Sequence, residues 1–437
     1  MSSIDRLLLR HPLVLSVVVV GIAACAPEAQ LQEDPEDYRE EVARLERKIA
    51  ENPEEAAPLR DLGAIYVRTK RPSEGYRYLK KALSREPNDP KTLFYLGVAS
   101  ERLGRRQEAQ RLYRRFPEVP EDSRFRSLMK GRYQWLLRQE VKKQMAEMVQ
   151  QEDTLTDDIS ARAVAVFPLS YQGDNEKYAP LGRGLAEMVS TDLAQIDELQ
   201  LVERVRVEAL LDELKLAESE YVDPATAPRS GQLLGAGRLV GGTYSVLDAQ
   251  DLRVETAFAE VQEAGASSNV ESYSGALEEL FALQKEIVYG VVDRLGIELS
   301  ARERKEIERV PTRNLQAFLA YSRGLEAEAR GKYKAAAAAF RRAHEIDPGF
   351  SKAAERQAET ENLSAVAGGA EQALLAAAQL SVPPSTVNLL QHRLQMQSLS
   401  LGLPISQGRQ PAAESNSRDN PFVLQDPPPP PDENGSP

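Results

Sequence analysis

One cysteine, two histidines beyond the first dozen residues and two glycine clusters carry most of the chemistry that this 437-residue sequence could offer. Cys25 closes the apolar run "PLVLSVVVVGIAA" and directly follows Ile22, Ala23 and Ala24. A lone thiol forms no intramolecular disulfide and no cysteine-rich metal site. His344 and His392 stand 48 residues apart with no ligand cluster around them, which argues against a transition-metal site. A Ser–His–Asp constellation needs a histidine on a scaffold loop, and neither is placed that way. "GAGRLVGG" lacks dinucleotide-fingerprint spacing and runs into a strand rather than a helix. "LGRGLAE" opens a helix whose N–H groups could hold an anion, although a plain helix start packed on a sheet is the simpler reading. Carboxylates are many, but spacing pairs no two of them. The expectation is a protein that is not an enzyme, with no catalytic, cofactor-binding or metal residues. An enzyme with an unrecognised site is the last alternative.

The surroundings of Cys25 say more than the thiol itself. Arg6 and Arg10 precede 13 apolar or small residues, 12–24, which matches the charged and apolar regions of a signal peptide. The run is too short for a comfortable membrane span of about 20 residues. Its end, Ile22-Ala23-Ala24-Cys25, resembles the lipobox of bacterial lipoproteins. The resemblance implies cleavage between Ala24 and Cys25 and lipid on the new N-terminus, the only covalent group expected. Two or more acyl chains give stable anchoring where one gives marginal binding. Ala26, rather than Asp, leans toward the periplasmic face of the outer membrane.

Loss of residues 1–24 removes Arg6, Arg10 and Asp5, so the formal charge moves from −12 to −13. An acidic chain is a poor general nucleic-acid binder, and no nucleic acid is expected as partner. Residues 25–50 read as an acidic spacer. Residues 402–437 hold nine prolines in 36 positions and read as a disordered tail, with a polyproline II piece at 427–431.

Two segments align at a spacing of 34. Leu59, Leu62, Gly63 and Tyr66 recur as Leu93, Leu96, Gly97 and Ser100, with Ala82 and Pro87 later in the first copy and Ala109 and Tyr113 in the second. A third copy carries Gly324, Ala336, Phe340, Ala343 and Pro348 in the same frame. The pattern resembles the tetratricopeptide repeat, a helix–turn–helix unit in which a glycine of the first helix lets the second approach. The repeats are assigned to 51–155, with a capping helix from "SRFRSLMKGRYQWLLRQEVKKQMAEMVQQ", and to 311–400. Residues 101–145 hold 13 Lys or Arg against 6 Asp or Glu. That excess reads first as a solvated face balancing acidic neighbours and second as a face for an anionic partner.

Between the repeats the periodicity changes. "ARAVAVFPL" has the continuous apolar run of a strand buried on both faces. A helix, the short strand "LQLVER", the helix "RVEALLDELKL" and a turn-rich stretch through "GQLLGA" follow, then three strand-like runs and a final amphipathic helix. The expected fold is α+β and mostly α: helical repeats flanking one α/β domain with a mixed sheet, at about 160–300. The order of "APLGRGLAEMVSTDLAQIDELQLVER", "ALLDELKL", "GQLLGAGRLVGGTYSV" and "LFALQKEIVYGVVDRLG" resembles a bacterial envelope superfamily, CsgG-like, FlgO-like and TolB-N-terminal-like. Glu203–Arg204 and the glycine-rich entry to residues 242–246 match it best. The resemblance implies a non-enzymatic platform that binds proteins through its repeats and the outer membrane through its lipid, in assembly or secretion. Homo-oligomerisation is left open, and a curli-type secretion channel is the alternative.

Overall fold

The computed structural model describes residues 35–152, 159–215, 226–248, 250–262 and 265–381. Ala24, Cys25, His392 and the proline-rich tail lie outside them. The chain divides into two compact units, Met1–Leu380 and Ser381–Pro437, and the repeats and the α/β domain belong to the first.

Helix α1 (Arg39–Glu51) corrects the reading of 25–50 as a spacer. Leu45 is buried, and Val42 and Ile49 pack beside it against Leu62, Ile65 and Tyr66. The stretch is acidic, but its apolar residues recur at helical spacing, and that stripe decides where it goes.

Two hairpins come next: α2 (Ala56–Arg68) with α3 (Pro72–Arg85), and α4 (Pro90–Arg102) with α5 (Arg106–Tyr113). Pro72 and Pro90 sit at helix starts, where a missing N–H costs nothing. The Asp89 carboxylate accepts from the Thr92 N–H at 2.7 Å and caps α4. A Cβ on Gly63 would come 2.6 Å from Leu79 Cγ, and one on Gly97 would come 2.4 Å from Tyr113 Cε1. The third copy, α12 (Leu315–Ala329) with α13 (Tyr333–Ile346), repeats this at 2.5 Å between Gly324 and Phe340. In all three the bulky partner lies 16 residues after the glycine, so one hairpin geometry recurs. Ala82, Ala109, Ala336 and Ala343 are fully buried in the same interfaces. Pro87 and Pro348 lie just beyond the ends of α3 and α13.

Helix α6 (Arg124–Gln150) is more than a cap. Gly131 stands 34 residues after Gly97, in the repeat frame. A Cβ there would come 2.6 Å from the Asn362 carbonyl oxygen of α14 (Ser351–Val366). In the third layer of the stack, the place of the second helix is therefore taken by a helix from far downstream. The reason is local. After Gly131, "QWLLRQEVKKQMAEMVQ" contains no Gly or Pro, so α6 continues instead of turning back. Val366, with Ala373, Leu374 and Ala377 of α15 (Ala370–Ser381), joins the same apolar cluster as Leu93, Phe94 and Tyr113.

The sheet runs in the order β3-β1-β4-β5-β6, with β2 beside β4. β1 (Ser160–Val166) pairs in parallel with β3 (Gln200–Leu201) and β4 (Ala236–Leu247). β2 (Ser170–Tyr171) is also parallel to β4. β5 (Asp251–Gln262) and β6 (Gly265–Ala276) continue antiparallel. Val164, Val166, Val240 and Phe258 face α7 (Leu181–Leu193) and α10 (Leu280–Arg294). Ala163, Ala165, Leu239 and Val261 face α8 (Arg204–Leu214), α9 (Ala227–Leu234) and Met145 of α6. Two covered faces explain the unbroken apolar run of β1. Helix α9 corrects the reading of that stretch as turns; Pro228 in its first turn starts a helix rather than breaking one. The remaining short helix, α11 (Ala301–Ile307), opens on a Ser300–Glu303 capping box.

Candidate functional site

Residues that sequence spacing could not pair meet where the repeats dock on the α/β domain. Arg204 begins α8 and reaches three carboxylates. Its Nε lies 3.4 Å from Glu187 of α7, Nη1 2.8 Å from Glu208 one helical turn on, and Nη2 2.9 Å from Glu328 of α12. Glu328 is also approached by Arg138 of α6 at 2.5 Å and Arg356 of α14 at 3.7 Å. Arg356 and Lys352 both approach Glu187, at 3.4 and 3.5 Å. Five helices thus share one network.

Burial would by itself push Glu328 toward its neutral form. Arg204, Arg356 and Arg138 outweigh it and hold the carboxyl down at about 2. Glu187 is lowered in the same way, with burial opposed by Arg204, Arg356 and Lys352. Burial raises the Tyr321 phenol beside them, and the Glu187 charge adds to that rise. Both carboxylates are thus held charged by cations that outweigh burial, whereas the phenol is raised mainly by burial itself. The arrangement fastens helices together.

The "LGRG" segment forms the second half of this junction. Gly182 touches the sheet side, where a Cβ would sit 1.9 Å from the Leu169 carbonyl oxygen. Gly184 touches the repeat side, where a Cβ would sit 2.1 Å from Ser322 Oγ of α12. The start of α7 holds no anion-receptive N–H at Gly182. That N–H donates to the Tyr244 hydroxyl at 3.1 Å, and the hydroxyl donates onward to the Tyr178 or Ala179 carbonyl, each 2.7 Å away.

A third contact ties α6 to both halves of the repeats. Arg132 is fully buried, pairs with Glu101 of α4 and donates from Nη1 to the Val366 carbonyl at 2.7 Å. Its guanidinium lies 4.5 Å from the ring centre of Trp135, and Glu101 also accepts from the Tyr113 hydroxyl at 2.8 Å. Two open grooves run along the repeats. One is lined by Tyr76, Tyr78, Lys80 and Lys81 of α3; the other lies between α5 and α6.

Residues 143–253 match the family model of the curli production assembly/transport component CsgG. The match spans about a quarter of the chain, from the last turns of α6 into β5. It contains Glu187, Arg204 and Glu208, whereas their partners Arg138, Glu328 and Arg356 fall outside it. The junction therefore joins a CsgG-like domain to helical repeats. A solved tetratricopeptide repeat protein from Parabacteroides merdae ATCC 43184 is 16% identical, covering 75% of this chain and 95% of its own, with a TM-score of 0.20. No curated protein matches the chain.

Among the sequence-derived residues, Leu59, Leu62, Gly63, Tyr66, Leu93, Leu96 and Gly97 all lie buried on first helices of hairpins. His344 sits half-buried on α13. Sequence reading did not find Glu187, Glu328, Arg138, Arg356 or Gly131. Only Gly131 carried a signal, its place in the 34-residue frame. The charged four look like solvated helix positions until the helices are brought together.

Proposed function

We propose that this chain is a non-enzymatic, lipid-anchored platform at the periplasmic face of the outer membrane, presenting helical repeats to partner proteins during assembly or secretion of an envelope or surface structure. The observation that carries the reading is the Arg204 junction, through which the CsgG-like domain and the repeats are built on one another. In such a design the domain supplies the site of attachment to an envelope assembly, and the repeat faces take segments of partner chains. Anchoring through Cys25 and entry by a signal peptide cut after Ala24 belong to the same proposal, as does self-association of the CsgG-like domain.

The channel alternative is less well supported by the strands. A barrel needs hairpins of about 9–11-residue strands with an apolar outward face. Strands β4 and β5 have that length, but both are paired within the domain sheet, with one face covered by α7 and α10, and the exposed end of the other face carries Arg253 and Glu255 rather than an apolar band. The test has two arms. Cells lacking the chain should lose an envelope or surface structure that wild type restores and a chain deleted of 51–155 does not. Purified full-length protein in planar bilayers should give no stepwise conductance. Stable conductance abolished by deleting 237–262 would replace the platform with a pore.

A further inference from the structure

The groove between α5 and α6 carries a charge pattern that the junction does not use. Its volume is about 660 Å³. One wall presents Arg106, Arg111 and Arg114, all exposed and with no carboxylate within ion-pairing distance among the described residues. The opposite wall, on α6, presents Tyr133, Leu137 and Lys143, and Leu137 is 41% exposed. Lys143 has only a surface contact with Glu147 at 3.5 Å. The single carboxylate of the lining, Glu140, accepts from the Gln144 amide at 3.1 Å.

We infer that this groove binds an extended acidic segment of a partner protein, one in which carboxylates alternate with apolar residues. The inference rests on the platform reading and gives it a surface and a ligand chemistry. Geometry selects the occupant. Arg106, Arg111 and Arg114 are five and three positions apart, so together they advance by about 12 Å along the helix axis. Every second residue of an extended chain advances by about 6.7 Å. Three alternate carboxylates on a strand therefore span about 13 Å, close to the reach of the three arginines, while the intervening side chains turn to Leu137 and the Tyr133 ring on the other wall. Arginine suits this role because its planar fork meets a carboxylate with two parallel hydrogen bonds. A lipid headgroup surface would use the charges but leave the apolar wall of a recessed groove unfilled.

The test is fluorescence anisotropy of the full chain with a fluorescein-labelled peptide alternating glutamate with leucine. Binding should saturate, weaken with added salt, and be at least about tenfold weaker when glutamine replaces every glutamate, which corresponds to about 1.4 kcal/mol. Combined Arg106→Gln, Arg111→Gln and Arg114→Gln should cost the same and abolish the salt dependence. Combined Lys80→Gln and Lys81→Gln on the other groove should change nothing. Circular dichroism of the triple variant should match the parent, since the three side chains are exposed; if it does not, Leu137→Glu, on the opposite wall, should weaken the peptide instead. Unchanged peptide affinity in the folded triple variant overturns the inference. So does loss of binding to phosphatidylglycerol–phosphatidylcholine vesicles with peptide binding intact, which would make the groove a lipid surface. If the triple variant restores the envelope structure fully, the groove inference fails while the platform stands. If deletion of 51–155 also restores it, the platform itself fails.

Discussion

Gly184 of α7 and Ser322 of α12 lie so close that the crossing leaves no room for a β-carbon, which would approach Ser322 Oγ to 2.1 Å. This contact and the Arg204 network meet along the same interface, one close and uncharged, the other charged. The CsgG-like domain of this chain thus has a helix, α7, that faces the sheet through Gly182 and the repeats through Gly184.

Replacing Gly184 by Leu should therefore loosen the repeats from the domain. Overpacking of this kind costs roughly 1–3 kcal/mol. Urea denaturation should show the loss, and limited proteolysis should show new cleavage near 308–314, the connection into α12. An unchanged midpoint would mean that α12 does not cross α7 at this glycine.

Arg204→Met removes the cation shared by Glu187, Glu208 and Glu328. Breaking one partner out of a buried pair typically costs about 3–5 kcal/mol because the remaining charge is uncompensated. Arg138 and Arg356 still face Glu328, which places the expectation at the lower end. Adding Glu328→Leu should recover part of the loss, and a double-mutant cycle measures the coupling. Additive losses would mean that the two residues do not interact.

Glu328 also sets a pH dependence. Its carboxyl titrates at about 2 in the folded chain against an ordinary value of 4.5. A lowered folded value stabilises above the unfolded value, so the contribution is complete above about pH 4.5 and fades as pH falls toward 2. The full effect is on the order of 3 kcal/mol. Stability measured against pH should fall less steeply through this window in Glu328→Gln than in the parent. Parallel profiles would remove Glu328 from the account.

Gly131→Leu should separate α6 from α14, since the added side chain is directed at the Asn362 backbone carbonyl. Backbone yields less readily than a side chain, so the cost should reach the upper part of the roughly 1–3 kcal/mol range. Amide hydrogen exchange should rise in α14 while the central sheet stays protected. Protection retained in both would place α14 elsewhere.

Cys25→Ser should release the chain from membranes and abolish fatty-acid labelling, because the sulfur is the proposed point of attachment. Equal label in variant and parent would end the lipoprotein proposal.

Much of this architecture was legible in the sequence because it rests on short-range periodicity. Gly63, Gly97 and Gly324, each followed by a bulky residue 16 positions on, specify hairpins whose packing is settled within one repeat. The apolar run at β1 announced a strand covered on both faces, and the alternating runs at β4 and β5 announced their hairpin. Helix α9 escaped because Pro228 and Gly231 read as turn residues when taken one at a time. Helix α1 escaped because its densely charged surface, in an acidic stretch, hid a narrow apolar stripe.

Tertiary structure alone decided how the two sets of repeats are joined. Gly131 keeps the 34-residue frame, yet nothing in the residues after it says that the helix packed on it will come from 351–366. Glu187, Arg204, Glu328 and Arg356 each sit on a different helix, and each in isolation is an ordinary charged residue on a helix surface. Spacing along one helix shows which side chains share a face. It cannot show which faces of distant helices will be pressed together, because that is chosen by the burial of apolar surface over the whole chain, and the charges are then paired where that packing leaves them.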